Sequence, residues 1–381
     1  MIGAGPAGLA SAAELRRRGV PVVVLERADA VGASWRGRYD RLRLNSSRWF
    51  SKLPGGRYAR GTGVFPSRDE VVGYLEDYAQ RNAVDVRLNT EVQRIDGGSA
   101  GWIVRTSGGD FAAEQVIVAA GYEHTPFVPD WSGRERFQGT LLHAAAYRNP
   151  EPFRGRDVLV VGPGCSGMEI AYDLAEGGAR KVRLAVRTPP NMLLRSPMGP
   201  AFALALMRIR PERGDRIVNF IRSKAIGDLT EYGLPVPEEG TVSRLRRLGV
   251  APAIVDKPVV QAIRDRRIEI VAGVQSLDDT AVALADGTRI EPDAVIAATG
   301  YRCGLEPVVG HLDVLDDEGV PRAFGAEAAA PGLRFVGYLH LPAHLRYAGR
   351  EARWAAKAIA HELRERPARG ASGHAAAFGT P

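Results

Sequence analysis

Residues 137–169 read FQGTLLHAAAYRNPEPFRGRDVLVVGPGCSGME, and the second half of this stretch decides the fold. Val158, Leu159, Val160 and Val161 form a continuous apolar run of the kind a buried parallel strand carries. The run feeds Gly162, Gly164 and Gly167 in G-x-G-x-x-G spacing, and residues 168–175 then carry helical periodicity. A strand, a glycine turn and a helix in that order make a dinucleotide fingerprint. The first glycine permits the tight turn, the second lets a pyrophosphate approach the backbone, and the third lets helix and strand pack closely. The helix N-terminus then faces the phosphates with its partial positive charge.

A second copy opens the chain. Gly3, Gly5 and Gly8 start a helix through Leu9, Ala13 and Leu15; residues 21–25 follow as a strand, and Glu26 ends it. One such motif is weak evidence, whereas two copies far apart, each in a strand–turn–helix context, predict two dinucleotide sites. Only Met1 and Ile2 precede Gly3, which falls short of the apolar run of a central parallel strand. The expectation is a start set too far downstream, the alternative being a shortened but tolerated strand.

The 381 residues leave room for two or three domains. Hydrophobic content of 45% and charged content of 25% place the chain among ordinary globular proteins. The net charge of +7 comes mostly from Arg spread along the chain; no stripe of basic and aromatic residues argues for nucleic acid. Cys165 and Cys303 make neither a C-x-x-C pair nor a metal spacing, so no metal site and no redox dithiol are expected. No apolar run approaches a membrane span and no leader precedes the first glycine loop, which reads as cytoplasmic.

Residues 32–66 are loop-rich. A helix over 68–81 follows, with Ser67 as N-cap and Glu70 completing a capping box. Strands are expected at 84–88, 91–95, 102–106 and 115–119, and the same order returns at 268–271, 273–277, 281–285 and 294–298. The copies end alike, as VIVAAGY at 116–122 and VIAATGY at 295–301. The simplest reading is two related nucleotide-binding units, the second inserted into the first. Residues 189–250 fit neither unit: helical pieces at 202–209 and 217–226 lie among proline and glycine. Such an insert could line a substrate cavity, act as a structural cap, or touch a membrane surface, in that order of preference. A last helix is expected over 349–364, and a disordered tail over 367–381.

Glu26 suits the ribose of a dinucleotide without a 2′-phosphate, such as FAD. In the second unit Arg187 and Thr188 stand at the equivalent strand end, which suits the 2′-phosphate of NADPH. The competing reading of Arg187 is a solvated surface residue.

These residues resemble the class B flavin-dependent monooxygenases, in the flavin-containing monooxygenase and YUCCA-type branch. The most specific element is Phe137-x-Gly139-x-x-x-His143-x-x-x-Tyr147. In that family the segment couples the two domains; spacing alone leaves His143 equally a satisfied linker histidine, and no acid–base role is assigned to it. Trp35, Arg36 and residues 39–42 are similar to the family's loop beside the flavin. Asn45 falls where flavin-containing monooxygenases place an Asn near the reactive flavin edge, so it is a candidate catalytic residue, with a turn or cap role as the equal alternative. Residues 298–301 and 332–337 resemble the second domain's exit and the strand returning to the flavin. The chain departs from the family at Cys165, where the second loop commonly carries Asn. That thiol reads as a small buried residue or, at a helix N-terminus, as an oxidisable one.

The expected fold is α/β, with two Rossmann-like three-layer dinucleotide-binding domains, the NADPH domain inserted into the FAD domain. The boundaries read as 1–150 and 291–366 for FAD and 151–290 for NADPH, with the insert at about 189–250. Cofactor contacts are expected from Gly3, Gly5, Gly8, Glu26 and Trp35, and from Gly162, Gly164, Ser166, Gly167, Arg187 and Thr188. The resemblance implies an NADPH- and O2-dependent monooxygenase that oxygenates an amine, a sulfur or a 2-oxo acid or other carbonyl through a C4a-(hydro)peroxyflavin. Indole-3-pyruvate or another small 2-oxo acid is one candidate. Expected partners are a small-molecule substrate and O2, with no nucleic acid and no integral membrane segment; a homodimer is left open. The alternatives are an NADPH-dependent flavin reductase or oxidase releasing hydrogen peroxide, and a flavoprotein that signals redox state without turnover.

Overall fold

The computed structural model describes residues 1–98, 101–249, 251–338 and 343–365. The tail expected over 367–381 lies outside the described residues. Two parallel sheets carry the molecule, and their strand orders match. The first runs Val86–Arg87, Val24–Leu25, Ile2, Val116–Val118, Leu333–Phe335. The second runs Glu269–Ala272, Lys181–Val186, Asp157–Val161, Ala294–Ala297, Thr140–His143. In each, the strand leading into the glycine turn is central, flanked by the strand after the helix and by the VIV- or VIA-type exit strand. The outermost strand arrives late in the chain for the first unit and early for the second. Each unit also carries a three-stranded antiparallel sheet between its third strand and its exit strand. These are Val92–Gly98, Gly101–Thr106 and Phe111–Ala113 in the first unit, and Val274–Leu277, Val282–Leu284 and Arg289–Ile290 in the second.

Hydrogen bonding places two segments differently from the boundaries read in the sequence. Thr140–His143 and Ala294–Ala297 both belong to the second sheet, on the far sides of positions 150 and 290. The ladder decides membership, and a linear pattern does not display ladders. The central place of the first sheet is held by very little chain. Ile2 N–H donates to Ile117 O at 2.9 Å, Gly3 N–H to Leu25 O at 2.8 Å, Leu25 N–H to Met1 O at 2.8 Å, and Ala119 N–H to Ile2 O at 2.9 Å. Both edges of that short segment are therefore hydrogen-bonded. Its neighbour is correspondingly short: of residues 21–25 only Val24–Leu25 is strand.

Helix Pro6–Arg16 packs on helix His344–Glu365 through small residues, Ala10 and Ala13 on one side and Ala352, Ala355 and Ala356 on the other. The insert is a separate small layer. Its base is the parallel pair Met192–Leu194 and Ala253–Val255, and its body is three helices, Gly199–Leu206, Pro211–Ala225 and Thr241–Leu248. The first two begin earlier than the pieces read at 202–209 and 217–226. Pro200 and Pro211 sit in the first helical turn, where a missing N–H costs nothing, so they open these helices instead of breaking them. Among the described residues no helix is long and apolar enough to cross a membrane.

Helix Arg68–Arg81 forms as its capping signal requires. Ser67 Oγ accepts from Glu70 N–H at 3.3 Å, and Glu70 Oε2 accepts from Ser67 N–H at 2.7 Å. Val71, Leu75 and Tyr78 are buried beneath it. Ser67→Ala removes the hydroxyl acceptor from the box, and a loss of about 1 kcal/mol is expected. A fall in the urea midpoint of the first unit checks this; an unchanged midpoint would show that the cap contributes nothing.

Candidate active site

The two glycine turns superpose in role. Gly3 and Gly162 have φ of +96° and +113°, and a Cβ at either would lie 2.6 Å from Ala119 O or 2.4 Å from Ala298 O. Gly8 and Gly167 are tighter: a Cβ there would sit 1.9 Å from Gly3 O and 1.8 Å from Gly162 O. Each helix thus meets its strand at backbone contact. Gly5 and Gly164 are the opposite case. A Cβ at either meets nothing within 4 Å, so each faces open space at the first turn of its helix. That is the space a pyrophosphate needs, and each turn fits a dinucleotide.

Around the first turn, Glu26 ends Val24–Leu25, with its carboxylate accepting from Ala4 N–H at 2.7 Å and Ala28 N–H at 3.0 Å. Gly3, Gly5, Glu26, Trp35 and Asn45 all line one cavity of about 1420 Å³. Cys165 and Ser166, from the second turn, line it too. Arg187 and Thr188 do not: they stand exposed past the carboxyl end of Lys181–Val186, and among the described residues Arg187 forms no ion pair.

Asn45 and Cys165, drawn from different units, come together. Both line the one cavity, and the Asn45 side chain is among the groups that lower the thiol pKa. Cys165 Sγ also accepts from Ile254 N–H at 3.3 Å and faces Pro252 O at 3.9 Å, which ties it to the base of the insert. Burial pushes the thiol pKa up, outweighing the hydrogen bonds that lower it. Cys165 is free, half-buried and lines the cavity.

Next to it lies a buried polar chain that the motif search did not find. Tyr39 donates its hydroxyl to Glu169 Oε2 at 2.6 Å; Glu169 pairs with Arg195 of the insert, and Arg195 Nε stands 3.4 Å from Asp256. Burial raises the Glu169 pKa, with the Arg195 charge pulling against it, and burial together with the Glu169 charge raises that of Tyr39. The sequence did hold a signal: Glu169 and Asp173 interrupt the apolar face of a fingerprint helix, and both are buried.

Of the Phe137–Tyr147 motif only Ala145 lines the cavity; Phe137, Gly139, His143 and Tyr147 stand behind it. A Cβ at Gly139 would lie 2.6 Å from the Phe137 ring, so the glycine makes room for it. His143, 8% exposed, accepts Ala145 N–H at Nδ1 (3.0 Å) and meets Gly300 O at Nε2 (2.9 Å). Because Nδ1 is an acceptor, the proton sits on Nε2 and is donated to Gly300. Burial lowers the pKa and keeps the ring neutral. Both nitrogens are spent on backbone, which leaves none for acid–base chemistry. Tyr147 donates to Asp173 Oδ2 at 2.8 Å beneath the helix Cys165–Glu176. Beside it, Arg148 donates to the carbonyls of Arg36 and Arg38 at 2.7 and 2.8 Å, and Arg38 donates to the Tyr301 hydroxyl at 2.7 Å. Arg148 and Tyr301, next to the motif and the exit strand, thus bind the loop after Trp35.

Comparison with known proteins agrees with this geometry. The sequence profile described as pyridine nucleotide-disulphide oxidoreductase matches residues 1–197. The chain is 36% identical over 313 residues to the indole-3-pyruvate monooxygenase YUCCA1 of Oryza sativa subsp. japonica, covering 80% of this chain and 77% of that protein. The flavin-containing monooxygenase from Stenotrophomonas maltophilia superposes with a TM-score of 0.72 at 26% identity, over 95% of this chain and 97% of that one. The OTEMO complex with FAD and NADP shares the fold, with a TM-score of 0.73 at 16% identity, over 95% of this chain and 83% of that one. The dithiol that a disulphide reductase would use is absent here, since Cys165 and Cys303 are both free and far apart in sequence. Two fingerprints with room for two dinucleotides, the Phe137–Tyr147 motif and these relatives lead to one identification: the chain belongs to the class B flavin-dependent monooxygenases, in their YUCCA-like branch, and is an NADPH-, FAD- and O2-dependent enzyme.

Proposed function

We propose that this monooxygenase acts on an apolar 2-oxo acid of the indole-3-pyruvate type. The observation that carries the reading is the single cavity that runs from the first glycine turn, past Asn45 and Cys165, to the apolar walls of the insert. A relative of which this chain covers most bears the name indole-3-pyruvate monooxygenase. Bound FAD and NADPH supply the electrons that let one atom of O2 enter an organic substrate. The chain's own residues do the rest. The turn at Gly3, Gly5 and Gly8 holds the FAD pyrophosphate, Glu26 takes a ribose hydroxyl, and Trp35 flanks the flavin. The turn at Gly162, Gly164, Ser166 and Gly167 holds the NADPH pyrophosphate, and Arg187 with Thr188 takes the 2′-phosphate. Asn45 donates its amide beside the reacting edge, with Cys165 keeping it in place. Phe202, Leu206 and Val242 of the insert keep water from the substrate. The NADPH unit, on this reading, includes the strands 140–143 and 294–297 along with 151–290.

Three outcomes are expected. With indole-3-pyruvate, one NADPH and one O2 disappear per acid consumed, and hydrogen peroxide stays a minor product. Peroxide matching NADPH whether or not the acid is present would overturn the reading in favour of an oxidase. Gly164→Ala keeps the backbone, whose φ of −75° suits any residue, and its methyl meets no protein atom. It should leave the melting temperature and the flavin content as they are while weakening NADPH binding at least tenfold; an unchanged Kd would remove the pyrophosphate from this turn. Arg187→Ala should lose about ten- to a hundredfold in kcat/KM for NADPH, the worth of a charged hydrogen bond, and keep NADH use. An unaltered cofactor ratio would return Arg187 to the solvated surface.

A further inference from the structure

Val218, Ile221, Arg222 and Ala225 stand at i, i+3, i+4 and i+7 on helix Pro211–Ala225, and all four line the cavity. The walls opposite are apolar: Phe202, Ala203 and Leu206 from one insert helix, Val242 and Leu245 from another. Arg222 is a charge set into an oil-like face. It is half-buried, and its Nε is buried with no hydrogen-bond partner among the described residues. Arg195, the other insert cation at the cavity wall, is matched by Glu169 and Asp256. Arg222 forms no such pair among the described residues. Asp228, an acid that senses its charge, is exposed and spends its carboxylate on Thr230, with a 2.9 Å bond from the Thr230 N–H. The Arg222 side chain is half-buried and, among the described residues, only its Nε is buried without a partner, so its two outer nitrogens are left to meet an anion in the cavity.

We propose that Arg222 is the specificity residue of the cavity and binds the carboxylate of the substrate. The planar fork of a guanidinium matches a carboxylate with two parallel hydrogen bonds. Sharing the cavity wall with Val218, Ile221 and Leu245, it selects molecules that join one carboxylate to an apolar body. Neutral amines, thioethers and ketones of equal size bury the same area and leave the charge unmet. This inference rests on the 2-oxo acid reading above and names the group that enforces it.

The test is equilibrium binding to the oxidised, FAD-loaded enzyme without NADPH, so that nothing turns over. Phenylpyruvate and its neutral methyl ester are titrated while the flavin absorbance is followed. The wild type is expected to bind the acid at least tenfold more tightly than the ester. Arg222→Gln should weaken the acid by tenfold or more and leave the ester unchanged, with flavin content and melting temperature as controls. Arg222→Lys, which keeps the charge and loses the fork, should fall between. An acid preference that survives in Arg222→Gln, or equal weakening of acid and ester, overturns the assignment while leaving the 2-oxo acid reading in place. Weakened NADP⁺ binding with unchanged acid binding overturns it too, and moves Arg222 to the dinucleotide. A wild type that prefers the ester, or treats both alike, overturns the 2-oxo acid reading itself.

Discussion

Backbone contact at Gly8 and Gly167 is the constraint on which the rest of the molecule depends. Glycine inside a helix costs about 1 kcal/mol relative to alanine. Here a single methyl would be driven to 1.9 Å from Gly3 O or 1.8 Å from Gly162 O, far inside contact distance. Steric exclusion outweighs the propensity term at both places. The consequence reaches beyond packing. Each helix is pressed so close to its strand that its first free N–H groups open onto the space beside Gly5 or Gly164, and a phosphate finds them already aimed. Moving either helix outward by the width of a methyl would misplace those donors. A sheet order repeated strand for strand on both sides follows from the same contact, since only a central strand can hold the turn that receives the helix.

The two units are joined through side chains more than through sheet. Tyr39 belongs to a loop of the first unit, yet it lies in the second unit's core with Tyr147, Phe153 and Met168. Its hydroxyl reaches Glu169, and Glu169 is shared with Arg195 from the insert. One buried carboxylate therefore receives a group from each of the other two parts of the chain. Such an ion pair need not add to stability, because desolvation offsets most of the attraction. Removing one member does matter: an uncompensated buried charge costs about 3–5 kcal/mol. Geometry, more than energy, is what the pair provides. It fixes the loop carrying Trp35 and Asn45 against the helix carrying Cys165 and Ser166, so that residues from both glycine-turn regions face one cavity.

Local signals in the sequence transmitted well, and pairing did not. The capping box at Ser67 and Glu70, both glycine turns and the first two strands of each antiparallel sheet depend on neighbours a few residues apart, and each could be read; the short third strands Phe111–Ala113 and Arg289–Ile290 could not. Ile2 was harder. Its run is too short to look like a strand, and it joins the sheet only through single bridges to Leu25 and Val118. Thr140–His143 shows the same limit from the other side: its motif was legible, but the sheet that owns it is set by hydrogen bonds to Ala294–Ala297. Proline misled at 200 and 211 because the same residue stops a helix from inside and starts one from its first turn. In the site, residues defined by backbone need were visible. Those defined by meeting a distant partner, such as Glu169 with Tyr39 and Arg195, were not, since a buried acid on a helix looks like any acid until its partners are in place.

That division also explains where specificity can reside. The glycine turns are held by backbone contact, and any side chain added at Gly3, Gly8, Gly162 or Gly167 would collide with the protein itself. They cannot vary without losing the fold. The insert is tied down differently, by one short parallel pair, by Cys165 at Pro252 and Ile254, and by Arg195 at Glu169. Its inward stripes at 199–206, 211–225 and 241–248 pack on one another and on Leu193 of the short parallel pair, and they face the cavity. A change there alters the shape or charge of the cavity wall and leaves the turns untouched. The turns are therefore held by backbone contact, and the insert's wall by side chains free of that constraint.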